Sequence, residues 1–400
     1  MIPSIAHSFF KAPSRVRRQW ERIPLIDRWL AAELIGPLLF GIAAFTAVSL
    51  SVGVVFELVR KVAETGLSPL VAMQVLALRL PGFLVLSFPM ATLMATLLAF
   101  SRLSSSSELT ALRSIGVPTW RMVAPAMIVA ALMTVLTFTF NDLIVPSANL
   151  TAADRLDAAL GRSLAAERGD NVVYSRYAEI TSQDEKGNLI KSNDLAQLFY
   201  ARRFRDGRMY EVTLVDFTKS GHQQLLTAKT GVWNEIRGMW DFHEGRIVDI
   251  DYNTNRTISA NFNIYSYPFT KAPLDVGKLP SDAAQMSVAQ ALRAEALLEQ
   301  SGDRKEARRL RVRIQEKLSF PAICLVFGLI GSTLGVRPNT RTSRSQGFGI
   351  SVLLIFGYYL MSFVFSSLGI KGTLSPFFAA WLPVAIGLGS GLLLLRQASR

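Results

Sequence analysis

Two long apolar blocks, one in each third of the chain that contains a terminus, enclose a polar middle. No other sequence feature narrows the fold as much. Half of the 400 residues are hydrophobic, the mean hydropathy is positive, and soluble domains of this size rarely read that way. Each block is long enough to cross a bilayer more than once, because one crossing takes about 20 apolar residues. The pattern is that of a membrane bundle interrupted by a soluble insert.

Six spans can be placed. The first runs from about Leu34 to Leu58, and Arg15, Arg17, Arg18, Arg22 and Arg28 before it put the N-terminus in the cytoplasm. Its apolar run is too long for a signal-peptide core, so the segment is expected to be retained. The second lies between Leu70 and Phe100, interrupted by Arg79, Pro81 and Pro89; its first third reads as an interfacial approach. The third covers about Met122–Val145, the fourth Phe320–Val336, the fifth Phe348–Leu368 and the sixth Pro376–Leu395. The segment Arg102–Arg121, the loop with Arg337, Arg341 and Arg344, and the end at Arg396 and Arg400 are basic, which makes them and both termini cytoplasmic. The insert then falls outside. One helix resists this topology: Arg304, Lys305, Arg308, Arg309, Arg311, Arg313 and Lys317 would also lie outside.

Beyond Pro146 the chain is first polar and helix-prone. From about Asn171 to Phe269 it alternates apolar and polar residues in short runs such as Leu195–Phe204, Met209–Phe217 and Arg246–Tyr252. Asp206-Gly207, Ser220-Gly221, Arg237-Gly238 and Glu244-Gly245 supply turn signals between runs. Period-two alternation with regular glycine turns predicts a β-sandwich or jelly-roll-like insert. A charged helix is expected from Ser287 to about Leu318. The domain plan is therefore residues 1–145 with spans one to three, 146–285 as the β-domain, 286–317 as a connecting helix, and 318–400 with spans four to six.

The net charge of +13 does not point to nucleic acid, because the basic residues flank apolar blocks and no basic run is interleaved with stacking aromatics. Three scattered histidines, His7, His222 and His243, and one cysteine, Cys324, give no metal spacing. No phosphate-binding Gly-x-x-x-x-Gly-Lys-Ser/Thr loop and no Gly-x-Ser-x-Gly elbow is present. No cofactor and no catalytic site are expected, and any ATP hydrolysis belongs to another chain. Gly331–Gly335 and Gly387–Gly391 are small-residue pairs suited to close helix packing.

The segment between spans two and three carries the most information. It reads Ser104-Ser-Ser-Ser-Glu108-Leu-Thr-Ala-Leu112-Arg-Ser-Ile-Gly116-Val-Pro118. Ser105 with Glu108 matches a capping box, and Gly116 with Pro118 matches a helix stop. These signals predict a helix over about 105–115 with Leu109, Leu112 and Ile115 on one face. That face rests either on the membrane or its own bundle, or in a groove of a separate ATPase subunit.

Glu108-Leu-Thr-Ala-Leu-Arg-Ser-Ile-Gly-Val resembles the signature of the lipopolysaccharide export permeases, the LptF/LptG family. Asp27-Arg-Trp-Leu30, Arg79-Leu-Pro81, Phe88-Pro-Met-Ala91, Asn141-Asp142, Val145-Pro146, Leu318-Ser-Phe-Pro321, Tyr358-Tyr359, Ser375-Pro376 and Ala380-Trp-Leu-Pro383 agree in order and spacing. The resemblance is weakest in the β-domain and over residues 1–22. It implies three spans, a periplasmic β-jelly-roll and three more spans. It also implies pairing with a second permease chain, identical or related, above an LptB-like ABC ATPase dimer, and delivery of an anionic glycolipid to an LptC/LptA-like bridge. On this basis Glu108, Leu109, Leu112, Arg113 and Gly116 are expected to couple the chain to the ATPase. Met1–Arg22 has no role in that scheme beyond contact with a cytoplasmic lipid surface.

Arg60 and Lys61 close span one and Arg79 stands near the start of span two's crossing, all at the outer interface in this topology. There they either pair with phosphates or carboxylates of a glycolipid or snorkel to headgroups and to Glu57 and Glu64. The resemblance supports a lipid-binding role, since family members carry a basic pair where Arg60 and Lys61 stand. A rival reading is a mechanotransmitting subunit that acts on a periplasmic partner without moving lipid.

Overall fold

In the computed structural model the described residues are 24–159, 172–183, 189–205, 207–218, 222–252, 254–270, 273, 283–336 and 344–399. The basic N-terminal extension, Arg337, Arg341, and the Ser220-Gly221 turn lie outside them. Among the described residues six helices are long and apolar enough to cross a membrane.

Span one is α1 (Leu25–Leu50), which passes through a π-helical turn, Ser51–Val55, into α2 (Phe56–Thr65). Gly66 ends it in the left-handed conformation, φ 69°, where a glycine costs least. Span two is α3 (Pro69–Ser105), one unbroken helix with Pro69 in its first turn and Pro81 and Pro89 inside. A short α4 (Glu108–Ser114) follows. Span three is α5 (Thr119–Thr139), a second π-helical turn at Phe140–Ile144, and α6 (Val145–Ala159). The spans are thus longer than their apolar cores. The helix of span three in particular runs well past Pro146, into the polar stretch that the sequence marked as helix-prone.

The insert is one antiparallel sheet in simple up-and-down order: β1 (Val172–Gln183), β2 (Leu189–Arg205), β3 (Arg208–Asp216), β4 (His222–Asn234), β5 (Met239–Asp251) and β6 (Arg256–Tyr267). It is rolled. In a flat sheet β2 and β6 would lie about 19 Å apart, yet Gln197 of β2 donates to the Tyr267 hydroxyl of β6 across 3.1 Å. Rolling lets one face pack on itself, as in a jelly roll, although the connections are those of a meander. Phe199, Trp240 and Phe242 are fully buried inside, and Phe269 stacks on Phe199 at 5.7 Å between ring centroids.

Glu244-Gly245, expected as a turn, lies instead within β5. Glu244 has φ 51° and is skipped in the pairing with β4. A Cβ on Gly245 would strike the Thr227 carbonyl and the Phe262 ring. The glycine serves close approach within the strand rather than a reversal.

The charged segment beyond Ser287 is also not one helix. It is a hairpin of α7 (Val288–Gln300) and α8 (Arg304–Ser319). Gly302 turns the chain with φ 79°, and the Asp303 carboxylate caps α8 by accepting from the Glu306 N–H at 3.0 Å. α8 continues through a 3₁₀ turn, Phe320–Ala322, into α9 (Ile323–Val336), and together they form span four. Spans five and six are α10 (Arg344–Lys371) and α11 (Pro376–Ala398). Three of the seven cations of α8 pair with carboxylates of the hairpin. Arg311 pairs with Glu295 and Glu299 of α7, Arg309 with Glu306, and Arg313 with Glu316. Lys317 donates to the Met286 carbonyl.

Spans two and four form the centre of the bundle, 72% and 78% buried along their apolar windows, against 17% for spans one and five. Glycines make that centre possible. A Cβ on Gly331 would overlap the Thr96 side chain, and one on Gly335 would come within 2.6 Å of Phe100 Cβ. Gly387 and Gly391 of α11 give the same close approach to Val326 and Leu329. Both small-residue pairs are therefore packing surfaces.

Candidate functional site

The segment between spans two and three lies at the end of the bundle far from the β-domain. Its helix is shorter than the sequence suggests, and the capping box is not formed. α3 extends to Ser105, so the Ser105 hydroxyl is spent on its own helix, donating to the Arg102 carbonyl at 2.8 Å. Ser107 takes the cap position with φ 64° and no side-chain bond, while Ser106 donates to the Glu108 carboxylate at 2.7 Å. Gly116 does adopt the left-handed conformation, φ 89°, as the stop signal requires.

The expected apolar face divides. Leu109 is 1% exposed and, with Leu112 beside it, packs against Leu103, Met122, Val123 and Val336 of the chain's own bundle. Arg113 points the same way: one guanidinium N–H₂ donates to the Val336 carbonyl at 3.1 Å, where α9 ends. That carbonyl is one of the last four of a helix, which lack intrahelical donors and carry the negative end of its dipole. Ile115, by contrast, is 73% exposed, and Trp120 in the first turn of α5 is 61% exposed. Two large apolar side chains therefore project outward from this end, beside exposed Thr110, Ala111 and Gly116. Sequence reasoning put Ile115 on one face with Leu109 and Leu112 and passed over Trp120. The available signal was a tryptophan directly after a Pro-Thr helix start, at the border of a span.

The same end is cross-braced. Arg102 pairs with Glu33 at 2.7 Å and Arg121 with Asp27 at 2.6 Å, each linking span one to another span. Thr119 donates to the Ala398 carbonyl at 3.2 Å, near the chain's C-terminus.

The second candidate lies toward the β-domain. Lys61 pairs with Glu57 at 2.7 Å and Arg60 approaches Glu64 at 3.9 Å, both one helical turn apart on α2. Arg79 of α3 lies close enough to act, with Lys61 and Arg60, on the same Glu57 carboxylate. The structure thus gathers all three expected cations round one acid. They stand above an apolar cluster of Val54, Leu58, Val75 and Leu156 that joins α2 and α3 to α6. Ion pairs one helical turn apart are weak, about 0.3–0.5 kcal/mol, whereas a charge-assisted bond to phosphate is about twice as strong as a neutral one. These cations can exchange partners at little cost.

Inside the rolled sheet a third polar group closes the space between its walls. The Tyr267 hydroxyl donates to the Asp216 carboxylate, and Gln197 Nε2 donates to the same carboxylate at 2.8 Å. Burial pushes the Asp216 carboxyl up, but bonds from Thr218, Tyr267 and Gln197 outweigh it and hold it below the usual carboxylate range. Burial, and then the bond to Asp216, push the Tyr267 phenol above its ordinary value. The pair is a neutral phenol clasped to a carboxylate. Nothing in the sequence pattern marked it.

No curated protein sequence matches the chain. The family described as lipopolysaccharide export system permease LptF/LptG matches it over residues 28–397, from the start of span one to the end of span six. Six spans, an inserted β-domain and this near-complete match lead to one conclusion: the chain belongs to the LptF/LptG family of lipopolysaccharide export permeases and is a multi-pass inner-membrane protein.

Proposed function

We propose that this chain is the non-hydrolysing membrane subunit of an ATP-driven exporter, one that extracts a lipopolysaccharide-type glycolipid and passes it to a periplasmic bridge. The observation that carries the reading is the two-sided build of residues 108–120. Leu109, Leu112 and Arg113 are set into the bundle, while Ile115 and Trp120 face outward beside Gly116. A segment fixed on one side and apolar on the other suits a docking contact that must pass force inward. The ATPase pair docks there, in the cytoplasm, so both termini are cytoplasmic and the β-domain is periplasmic. Closure of the ATPases pushes the segment, the spans follow, and the glycolipid leaves the membrane. A second permease chain, identical or related, completes the cavity along the exposed faces of spans one and five. Arg60, Lys61 and Arg79 hold the glycolipid's anionic groups during extraction. Burial of its acyl chains against the β-domain interior then replaces their burial in lipid.

The test is native mass spectrometry of the complex purified gently from its own membrane. Two permease chains, two ATPase chains and a bound anionic glycolipid are expected. ATPase chains with a stable periplasmic partner and no lipid would replace the exporter with a mechanotransmitter. A monomer with neither would overturn the docking site itself.

A further inference from the structure

Span four and the charged helix above it are one rod. Arg304–Val336 runs as a continuous helical segment of 33 residues, about 50 Å long. Both of its ends are tied to groups in other parts of the molecule.

At the far end the tie is Arg113, which donates to the carbonyl of the rod's last residue, Val336, at 3.1 Å. The guanidinium is inserted rather than splayed toward solvent, since its Nε is buried and has no hydrogen-bond partner among the described residues. At the β-domain end the tie is the turn just before Arg304. The Tyr177 N–H of β1 donates to the Ser301 carbonyl at 2.7 Å. Gly302 lies so close that a Cβ there would come within 2.6 Å of the Tyr177 carbonyl, in a backbone with φ 79°. Tyr177 is also where the pairing of β1 with β2 shifts register, so the turn meets the strand at its irregular point.

Between its ends the rod is guided rather than glued. Its lower half presents Gly328, Gly331 and Gly335 to Ala130, Thr96 and Phe100 of the neighbouring spans. Such small-residue faces suit the sliding of packed helices. Its upper half is held sideways by Arg311 with Glu295 and Glu299, and by Trp381, whose Nε1 donates to the Gln315 side chain at 3.3 Å.

We infer that this rod carries motion from the segment between spans two and three to the β-domain, with Arg113, Gly302 and Tyr177 as positioning residues at its two ends. The inference rests on the docking of an ATPase at that segment and adds the route by which its stroke reaches the sheet. A displacement of Val336 moves Ser301-Gly302, and with them the edge strand β1. The wall of the roll that β1 and β2 form then shifts against the wall formed by β5 and β6.

The experiment uses the full complex in lipid nanodiscs. Cys324 is fully buried, so spin labels go selectively to cysteines introduced by Ile236→Cys, at a 98% exposed site in the β4–β5 turn, and Thr373→Cys, at the exposed α10–α11 turn. In the otherwise unsubstituted chain, ATP should change the distance between the labels. Arg113→Ala and Gly302→Ala should each abolish that change, and the two together should do no more than one. Gly302→Ala should leave ATP hydrolysis by the complex unchanged. Asp303→Ala, which uncaps the first turn of α8 and leaves its apolar part untouched, is the milder variant and should diminish the change; it keeps the test valid where Gly302→Ala does not fold. A distance change that persists in Gly302→Ala, or in Asp303→Ala at full size, would overturn the rod while the docking site stands. Absence of ATPase chains from the unsubstituted complex would overturn the docking site, and the rod with it.

Discussion

The braces of the far end and the ion pairs formed within α2 and within α8 hold their charged groups in opposite ways. At the far end the partners are remote in sequence: Arg102 reaches Glu33 across 69 residues, Arg121 reaches Asp27 across 94, Arg113 reaches Val336 across 223, and Thr119 reaches Ala398 across 279. Toward the β-domain the pairs on α2 and within α8 are three or four residues apart, as in Lys61–Glu57, Arg60–Glu64, Arg309–Glu306 and Arg313–Glu316. The contrast is physical. A bond between distant segments is lost only when helices move relative to one another, so it makes the far end act as one body. A bond within one helix survives any movement of that helix, constrains nothing else, and can be exchanged for a ligand. In the proposed function, force enters through the first kind of contact and an anionic cargo is held at the second.

The contrast can be broken most severely at Leu109. Leu109→Ala removes a fully buried side chain from the far-end cluster and should cost about 2–5 kcal/mol. It should be read as a lower unfolding temperature of the purified permease, and a loss under about 1 kcal/mol would mean the segment is not anchored as described. Reversing the outer cations should do the opposite. Arg60→Glu with Lys61→Glu should leave the unfolding temperature nearly unchanged and reduce co-purifying anionic glycolipid by about tenfold or more, since charged hydrogen bonds contribute about 1.5–3 kcal/mol each. An unchanged lipid content would remove these residues from the binding site and favour the mechanotransmitter.

A third test concerns the clasp in the β-domain. The Asp216 carboxyl is held below its ordinary range in the folded state. Its contribution is therefore present above the unfolded carboxylate value, near 3.8, and is lost as pH falls below it. Tyr267→Phe removes one donor and should cost about 1–3 kcal/mol at neutral pH. It should also move the acid unfolding of the sheet to higher pH, followed by tyrosine and tryptophan fluorescence; an unmoved acid limb would mean that Asp216 does not depend on Tyr267. The smallest effects separate the ion pairs themselves. A double-mutant cycle on Arg121 and Asp27, whose carboxylate side chain is 12% exposed, should give a larger coupling than one on Lys61 and Glu57, which should stay near 0.3–0.5 kcal/mol, about the value of pairs one turn apart on a helix. Equal couplings would erase the difference between the two ends.

What the sequence made legible follows from what is local. Six apolar windows, period-two alternation and glycines that need a left-handed backbone, such as Gly116, are written in neighbouring residues. Ser105 shows how a local signal fails. The Ser-x-x-Glu spacing is real, but α3 runs on to Ser105 and consumes its hydroxyl. At Ser301-Gly302-Asp303 the signal was legible and passed over, since a glycine followed by an aspartate three residues before Glu306 is a helix stop and a fresh start. The clasp of Asp216 with Tyr267 and the bond from Arg113 to Val336 were not legible. Each joins residues dozens to hundreds of positions apart, and only the rolling of the sheet or the packing of the spans brings them within reach.

The glycine face of span four has a consequence for how such a chain can change over time. At Gly331 even a methyl group would overlap the Thr96 side chain, so the first step away from glycine is barred however conservative it is. Along the outward face of span three, where Ile128, Leu132 and Val135 are more than half exposed, one apolar side chain serves nearly as well as another. Substitutions should therefore accumulate on that face and spare span four, leaving it as the part of the molecule with the longest memory.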